Sequence, residues 1–550
     1  MRVKDELNLN GSRRDYAGIA ATVIGALIPI AVLLPVIMVS SGIVLFPDEV
    51  GYWADAMTMA GHDWSTVAEL FPWYSYGYSI LLTPLISVID DPTVIYRAGL
   101  ILNLIMIEAT YLMWIGLSRR FCPDLKRYVS ALISASAVCL PTYLTYVGIN
   151  LPEICLVFCF TALLYVLCSY IDKPSVFKGI LLSSLTIWLY AIHNRTVGIV
   201  LAMVICMVLL LISGRLKPSD IAVYIGTAAV LTAAFILGKD ALTDRLWPNG
   251  IMAANEAGDQ VDKIKTALTF KGAGKLMLLI FSQFGSISVS TLGLMPLGLA
   301  FTTTKAIGSI KSRKIADAIQ YLFITMSFVF TLGISSLFVI EPNRIDQLVY
   351  TRYIDTVTGI LCICGFLWIM RINSRRDAIV SCVVTGASVV VGMLCASVLA
   401  DHFDKLENYN YVNAPGLSRL YLVNGSDFKS YISLMLIFVL LLPAAGYLGR
   451  NKKALTASVS AAVVAVILIY MAYPTVDWVK DRQEVYKASN GYLEEIRDSG
   501  KDVYCDADTD VEFLEYAAYR LYDVKIRNVY EEDNRQINED YVILESAIEE

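Results

Sequence analysis

Two adjacent carboxylates, Asp48 and Glu49, lie directly after the first long apolar stretch of the chain, in the segment 46–55 (FPDEVGYWAD). A carboxylate beside the outer end of a membrane helix reaches water, where it can take a proton from a hydroxyl group. Acidic pairs are also common in the first turn of a helix, because negative charge is favourable there. The segment therefore offers Asp48 and Glu49 as candidate catalytic residues, with helix capping as the alternative.

Three arginines outside the basic loops of the chain could supply the opposite charge. Arg195 follows His193 and Asn194 between two apolar stretches, and Arg344 and Arg352 share the segment 341–353. A guanidinium group binds phosphate through a planar set of N–H donors, so each arginine is a candidate anion ligand. The alternative for Arg195 is a side chain that extends along the lipid to the water interface.

Further acidic and imidazole groups are weaker candidates. Glu153 follows a proline in the short turn 150–153, where it could hold an acceptor or a metal ion, or could simply begin a helix. Glu108 lies inside an apolar stretch, and we interpret it as a structural hydrogen-bonding group. We assign His62 and Asp63 to a solvated loop.

This combination suits the displacement of a phosphate from a sugar. A phosphate leaves as an anion without a proton donor, unlike the alcohol released when a glycoside is hydrolysed. One general base and a cationic clamp therefore suffice for the reaction.

The elements that position these residues are predicted to be membrane helices. Hydrophobic residues make up 56% of the 550 and charged residues only 17%, against about a quarter in soluble domains. Apolar stretches of the length that a bilayer requires recur along most of the chain. The first stretch lacks a clear cleavage site, so we expect a retained span rather than a signal peptide.

Lys and Arg clusters in alternate loops orient the spans, because basic loops stay on the cytoplasmic side. They place the N-terminus inside, the C-terminus outside, and the candidate residues together on the outer face. The predicted spans are 17–45, 94–117, 131–149, 154–171, 177–192, 196–213, 221–238, 276–302, 316–340, 353–370, 378–400, 430–449 and 455–473. We thus expect an all-α polytopic membrane protein with about 13 transmembrane helices. The apolar segment 76–89 is too short to span, and we interpret it as an interfacial or re-entrant helix anchored by aromatic residues.

The last 76 residues differ from the rest. Segment 475–550 holds nine Lys or Arg against twenty-one Asp or Glu, a balance that excludes nucleic acid as a partner. It alternates amphipathic stretches with short β-branched ones at 503–505, 524–529 and 541–544. We predict two domains, a membrane domain 1–474 with the outer loop 46–93, and a small extracytoplasmic α/β domain 475–550.

The order of these motifs resembles the GT-C superfamily of polytopic glycosyltransferases, especially the aminoarabinose transferases and protein O-mannosyltransferases. The matching features are the acidic pair Asp48-Glu49 followed by Tyr52, the aromatic stretch 74–85, the turn ending in Glu153, the segment opening with His193-Asn194-Arg195, and the Arg352-Tyr353 pair. The Lys-Pro-Pro element common in that family is missing here.

The resemblance implies a sugar donor on polyprenyl phosphate, an inverting displacement with Asp48 as base, and substrate binding by Tyr52, Glu153, Arg195, Arg344, Arg352 and Tyr353. The acceptor is a lipid, glycan or protein. Some members use a divalent metal ion and others do not, and the sequence leaves both open. The main alternative is a transporter or flippase for a lipid-linked or anionic substrate; a noncatalytic scaffold is a third interpretation.

Overall fold

The computed structural model describes residues 15–248, 256–403, 410–424, 428–506, 509–528 and 541–544. Arg13 and Arg14, the first of the basic clusters from which the spans are oriented, lie outside these residues. The helices are α1 Tyr16–Val39, α2 Pro47–Ala60, α3 Ser65–Ala68, α4 Ser79–Ile86, α5 Pro92–Phe121, α6 Arg127–Val138, α7 Pro141–Val147, α8 Glu153–Asp172, α9 Val176–Ile192, α10 Val197–Ile212, α11 Pro218–Leu246, α12 Glu256–Leu268, α13 Phe270–Ser290, α14 Leu294–Lys311, α15 Ile315–Phe338, α16 Ile345–Leu348, α17 Asp355–Ile369, α18 Arg375–His402, α19 Pro415–Asn424, α20 Phe428–Leu448, α21 Lys453–Glu484, α22 Asn490–Ser499 and α23 Val511–Arg520. The strands are β1 Asp502–Cys505, β2 Ile526–Asn528 and β3 Tyr541–Ile543.

The long helices are of membrane-spanning type. Within the described ranges, nine are long and apolar enough to cross a bilayer, or ten if α6 and α7 form one bent span. The shorter apolar helices 176–192, 355–369 and 436–448 fall on three further predicted spans. The predicted class, an all-α polytopic protein with a small C-terminal α/β part, is confirmed. The number of thirteen crossings stays a prediction.

Two predicted spans are not continuous helices. The span 131–149 consists of α6 and α7, which meet at an angle of 68° just before Pro141. A proline is well placed in the first turn of a new helix and poorly placed in the middle of one, which accounts for the break. The span 276–302 covers parts of α13 and α14, which are separated where Leu292 and Gly293 adopt positive φ values of 51° and 79°.

Helices α14 and α17 approach closely because each has a glycine where the two helices meet. A Cβ atom on Gly298 would overlap the carbonyl of Leu361, and one on Gly365 would overlap the carbonyl of Leu294. Small residues at such contacts let two membrane helices pack backbone to backbone. The contact fixes α17, whose N-terminal end lies three residues after Arg352.

The segment 76–89 contains one short helix, α4, of eight residues. At 1.5 Å per residue it is about 12 Å long, too short to cross a bilayer. Two of the aromatic rings in and beside this segment are buried in the protein. Tyr78 is fully buried and donates a hydrogen bond to Asn103 Oδ1 at 3.1 Å, and Trp73 is buried against Trp247. These rings position the outer loop 46–93 against the helix bundle.

The C-terminal part is a parallel three-stranded sheet in the order β2-β1-β3, with α22 and α23 beside it. The predicted strands are thus found, although residue 529 lies outside the described residues. Helix α21 runs without interruption from the membrane to Glu484 and so crosses the predicted domain boundary at 474/475. The boundary itself stays a prediction.

The C-terminal sheet and helices, which we call the tail domain, rest on the outer loop 46–93. The Tyr519 ring lies 5.2 Å from that of Trp53, and its hydroxyl donates to the carbonyl of Pro92 at 2.9 Å. Lys525 forms an ion pair with Asp63 at 2.7 Å. The loop and the tail domain therefore share one face of the protein.

Candidate active site

Asp48 occupies the first turn of α2, and the residues before it explain its position. Phe46 has extended backbone, Pro47 begins the helix, and the helix dipole favours a carboxylate in the first turn. Asp48 Oδ1 accepts a hydrogen bond from the Tyr74 hydroxyl at 3.0 Å, and Oδ2 lies 2.6 Å from Arg352 Nη1. Its side chain is 27% exposed, so one face of the carboxylate remains open.

Arg352 connects Asp48 to a second carboxylate. Its Nε lies 2.6 Å from Oε1 of Glu153, the first residue of α8, and the same oxygen lies 3.1 Å from Arg195 Nη2. The four side chains form a continuous chain of alternating charge, Asp48, Arg352, Glu153 and Arg195, which we call the charge cluster. Glu153 and both arginines are buried.

The charge cluster leaves several of its own polar atoms without partners. Within the described part of the chain, Arg195 Nε and Nη1, Arg352 Nη2 and Glu153 Oε2 are buried and make no hydrogen bond. A buried N–H donor of a charged group costs free energy when it is unpaired. Burial opposes the charge of Arg352, but Glu153 and Asp48 hold its pKa well above the usual range. The cluster therefore offers three cationic donors to an anion.

Aromatic rings fix the planes of both guanidinium groups. Arg195 lies over the ring of Tyr353, with 4.4 Å from Cζ to the centroid, and Arg352 lies 5.2 Å from the centroid of Phe46. Such stacking stabilises a cation and limits its rotation. Tyr52 is fully buried beside these groups, with its ring 5.6 Å from that of Tyr74.

Two cavities meet at Asp48. The first, of about 550 Å³, lies between the outer loop and the tail domain and is lined by Arg352, Trp478 and Glu512 among others; we call it the domain cavity. The second, of about 470 Å³, is lined by Arg195 and by apolar residues of α10 and α15; we call it the lipid cavity. Asp48, Phe338 and Tyr353 line both.

Glu49 does not join the charge cluster, although it was predicted beside Asp48 as a catalytic residue. It is fully buried, and its carboxyl group accepts hydrogen bonds from Val44 N at 2.7 Å, Tyr96 OH at 2.8 Å and Asn150 N at 3.0 Å. Burial raises the pKa of Glu49 to about 7 against the effect of these donors. Its geometry supports a role in fixing the backbone around Asp48 rather than contact with a substrate.

Other predicted residues lie at the edge of the site or away from it. Arg344 lines the domain cavity and is paired with the buried Asp346 at 3.1 Å. His62 and Asp63 contact the tail domain through Tyr522 and Lys525. Glu108 has a buried Oε1 atom without a hydrogen-bond partner among the described residues, and its structural role stays a prediction.

No cluster of potential metal ligands is found among the described residues, where no group of three or more His, Cys, Asp or Glu side chains could hold a metal ion. The two acidic members of the charge cluster are each held by a guanidinium group instead.

Some contacts of the site could not be read from the sequence. Tyr74, which donates to Asp48, belongs to the aromatic stretch 74–85, but nothing in the sequence points to its contact with a residue 26 positions earlier. Trp478, Arg482 and Glu512 of the domain cavity belong to the C-terminal part, which contains no recognisable motif.

Known proteins resemble this chain in structure rather than in sequence. No family model matches the sequence, and no curated protein matches it. The chain is similar to the crystal structure of ArnT from Cupriavidus metallidurans in the apo state, with 13% identity, a TM-score of 0.47, and coverage of 93% of this chain and 86% of that one. It is likewise similar to ArnT of that organism bound to undecaprenyl phosphate, with 13% identity, a TM-score of 0.47, and coverage of 93% and 85%.

Proposed function

We propose that this chain transfers a sugar from a polyprenyl-phosphate donor to an acceptor hydroxyl group at the outer face of the membrane. The observation that carries the proposal is the charge cluster, in which an accessible carboxylate and three unpaired cationic donors meet between two cavities. A proton acceptor and an anion clamp are the two groups that such a transfer requires.

The lipid cavity suits the donor. Val197 of α10 and Phe338 of α15 line it and are 47% and 37% exposed, so its wall continues onto the surface that membrane helices present to lipid. The prenyl chain lies along this wall, and the phosphate reaches Arg195 Nε and Nη1 and Arg352 Nη2. A phosphate diester there satisfies donors that are otherwise buried without partners.

Donor binding also changes the state of Asp48. In the empty site Asp48 is paired with Arg352. The phosphate competes for the same guanidinium group and so weakens this pair. Asp48 is then free to accept the proton of the acceptor hydroxyl group.

The transfer is a single displacement. The acceptor oxygen forms a bond to the anomeric carbon and gives its proton to Asp48, while the bond from that carbon to the phosphate oxygen breaks. The electron pair stays on the phosphate, whose charge grows from about −1 to −2 as Asp48 is neutralised. The two arginines stabilise the growing charge, and attack from the side opposite the phosphate inverts the anomeric configuration.

A transporter or flippase is the second candidate, because the lipid cavity alone would also hold a lipid-linked substrate. Transporters place ionisable groups near the middle of the membrane. Here the charge cluster lies at the ends of membrane helices, beside the outer loop and the tail domain. This position favours chemistry at the surface over passage through the membrane.

The test is to incubate the purified full-length protein with a panel of prenyl-phosphate sugars and to measure prenyl phosphate released, with the same lipids in vesicles to detect their movement between leaflets. The proposal expects release from at least one donor and loss of release in Arg195→Gln. Movement of intact donor without any release would establish the transporter instead.

A further inference from the structure

The domain cavity is built by two parts of the chain that are far apart in sequence. One wall comes from the outer loop and the segment 341–353, and the other from Trp478 and Arg482 at the end of α21 and Glu512 of the tail domain. Arg482 and Glu512 form an ion pair of 2.8 Å across this wall. The tail domain is therefore part of the site at which Asp48 is exposed.

The polar groups that line the domain cavity include both hydrogen-bond donors and acceptors. Among the described residues, the side-chain amide nitrogens of Gln347 and Asn410 make no hydrogen bond, while their side-chain oxygens accept from Asn343 N and Val412 N. Glu512 keeps one carboxylate oxygen beyond its bond to Arg482. A hydroxyl group both donates and accepts a hydrogen bond, so it requires such a mixture.

The aromatic residues of the cavity add flat surfaces to these polar groups. Trp478 is partly exposed and packs against Tyr411 at 6.3 Å, which fixes its plane. An amphipathic ring of this type contacts the C–H face of a sugar while hydroxyl groups bind the polar residues around it. A lipid chain would instead need a mainly apolar wall, whereas Arg352, Arg482 and Glu512 bring charge into the domain cavity.

Arg482 also contacts the backbone that carries Asp48. Its Nη2 donates to the carbonyl of Leu45 at 3.4 Å, and Leu45 has a positive φ of 58° three residues before Asp48. A residue other than glycine is strained in this conformation and needs support from its surroundings. The neighbouring Gln483 accepts a 2.7 Å hydrogen bond from Ser41 through its backbone carbonyl. The end of α21 thus holds the turn that leads into α2.

We propose that the acceptor is a hydroxyl-rich glycan, that it binds in the domain cavity, and that Trp478, Arg482 and Glu512 of the C-terminal part recognise it. This inference rests on the proposed function, since it assigns the second substrate of the same site. Arg482 is in addition a positioning residue, because it reaches Asp48 only through Leu45.

The experiment uses the full-length protein with a donor from which it releases prenyl phosphate. Release is measured in water alone and with three acceptor sets: linear oligosaccharides of glucose, mannose and N-acetylglucosamine, Ser/Thr peptides, and diacylglycerol in vesicles. We expect oligosaccharides to stimulate release. Glu512→Gln removes a charge-assisted contact and should raise the acceptor KM by about tenfold.

The matched control is Glu494→Gln, which breaks a comparable ion pair with Arg520, at 3.0 Å, away from the domain cavity. It should leave the acceptor KM at the wild-type value. Stimulation by peptides or diacylglycerol alone, or an unchanged KM in Glu512→Gln, overturns the inference. Release in water without stimulation by oligosaccharides refutes the inference but not the proposed function, whereas no release from any donor refutes the proposed function.

A second measurement needs neither donor nor turnover. Adding an oligosaccharide that stimulates release should change the tryptophan fluorescence of the wild-type protein, and Trp478→Phe should lose this change while keeping a ring in the cavity. An equal fluorescence change in Trp478→Phe would place the glycan elsewhere. This variant also keeps the test valid if Glu512→Gln does not fold.

Discussion

Replacing Arg352 by lysine tests whether the planar guanidinium group, rather than its charge alone, holds the site together. Arg352 contacts two carboxylates at once, Asp48 through Nη1 and Glu153 through Nε, each at 2.6 Å. A lysine ammonium is a single point charge and can reach only one of them. The variant keeps the net charge, so the protein should fold, but it loses one charge-assisted hydrogen bond.

The size of the effect follows from that lost contact. A hydrogen bond to a charged group contributes about 1.5–3 kcal/mol, so kcat/KM for the donor should fall about 10- to 150-fold. The assay is initial-rate release of prenyl phosphate over a range of donor concentrations, with thermal unfolding in detergent to verify folding.

The matched control is Arg120→Lys. Arg120 makes a bidentate ion pair with Asp172, at 2.5 and 2.9 Å, at the predicted cytoplasmic end of α5. This variant should keep the wild-type kcat/KM. A folded Arg352→Lys protein with wild-type kcat/KM would refute the view that the guanidinium group bridges the site.

Three further predictions concern the elements around the site. Glu49→Gln should lower the free energy of unfolding by about 1–3 kcal/mol, because the amide group cannot accept hydrogen bonds from all three donors. Release of prenyl phosphate by the folded protein should stay within about tenfold of wild type. A normal thermal midpoint would contradict this prediction. Gly298→Ala should lower the thermal midpoint by overlap with Leu361, whereas Gly308→Ala on the same helix has open space and should raise it slightly; equal midpoints would contradict the packing. Burial and then Glu512 raise the pKa of Glu515 to about 7, so the folded state keeps a proton that the unfolded state loses near 4.5. The stability that this proton contributes is lost as the pH rises towards 7, and Glu515→Gln should flatten the fall of the midpoint over that range; an unchanged pH profile would show that Glu515 ionises normally.

The membrane spans could be predicted because hydropathy and loop charge are local properties. Basic loops placed Asp48, Glu153, Arg195 and Arg352 on one side, and the structure brings these four residues into direct contact. The same properties could not locate the break at Leu292 and Gly293. That break depends on backbone conformation within a stretch whose composition is apolar throughout.

The different environments of Asp48 and Glu49, one exposed to the cavities and the other buried, could not be predicted from their positions in the sequence. Neighbouring residues on a helix point about 100° apart, so only one of the pair can face a given cavity. Which one does so depends on Val44, Tyr96 and Asn150, whose donors hold Glu49.

The contribution of the C-terminal part to the domain cavity could not be predicted from the sequence either. Arg482 contacts the carbonyl of Leu45 across a sequence separation of 437 residues. Such a contact arises because α21 continues beyond the predicted membrane span, and neither residue spacing nor composition predicts it.

The central claim is that Asp48 accepts the proton of the acceptor in the chemical step. The most direct test is single-turnover transfer from enzyme-bound donor by wild-type protein and Asp48→Asn, with donor affinity measured separately and Asp63→Asn as the control on the same loop. Asp48→Asn should bind donor at least as tightly, because Arg352 loses a competing partner, and its transfer rate should fall by about 10²- to 10⁴-fold. Equal single-turnover rates for wild-type and Asp48→Asn protein would contradict the account.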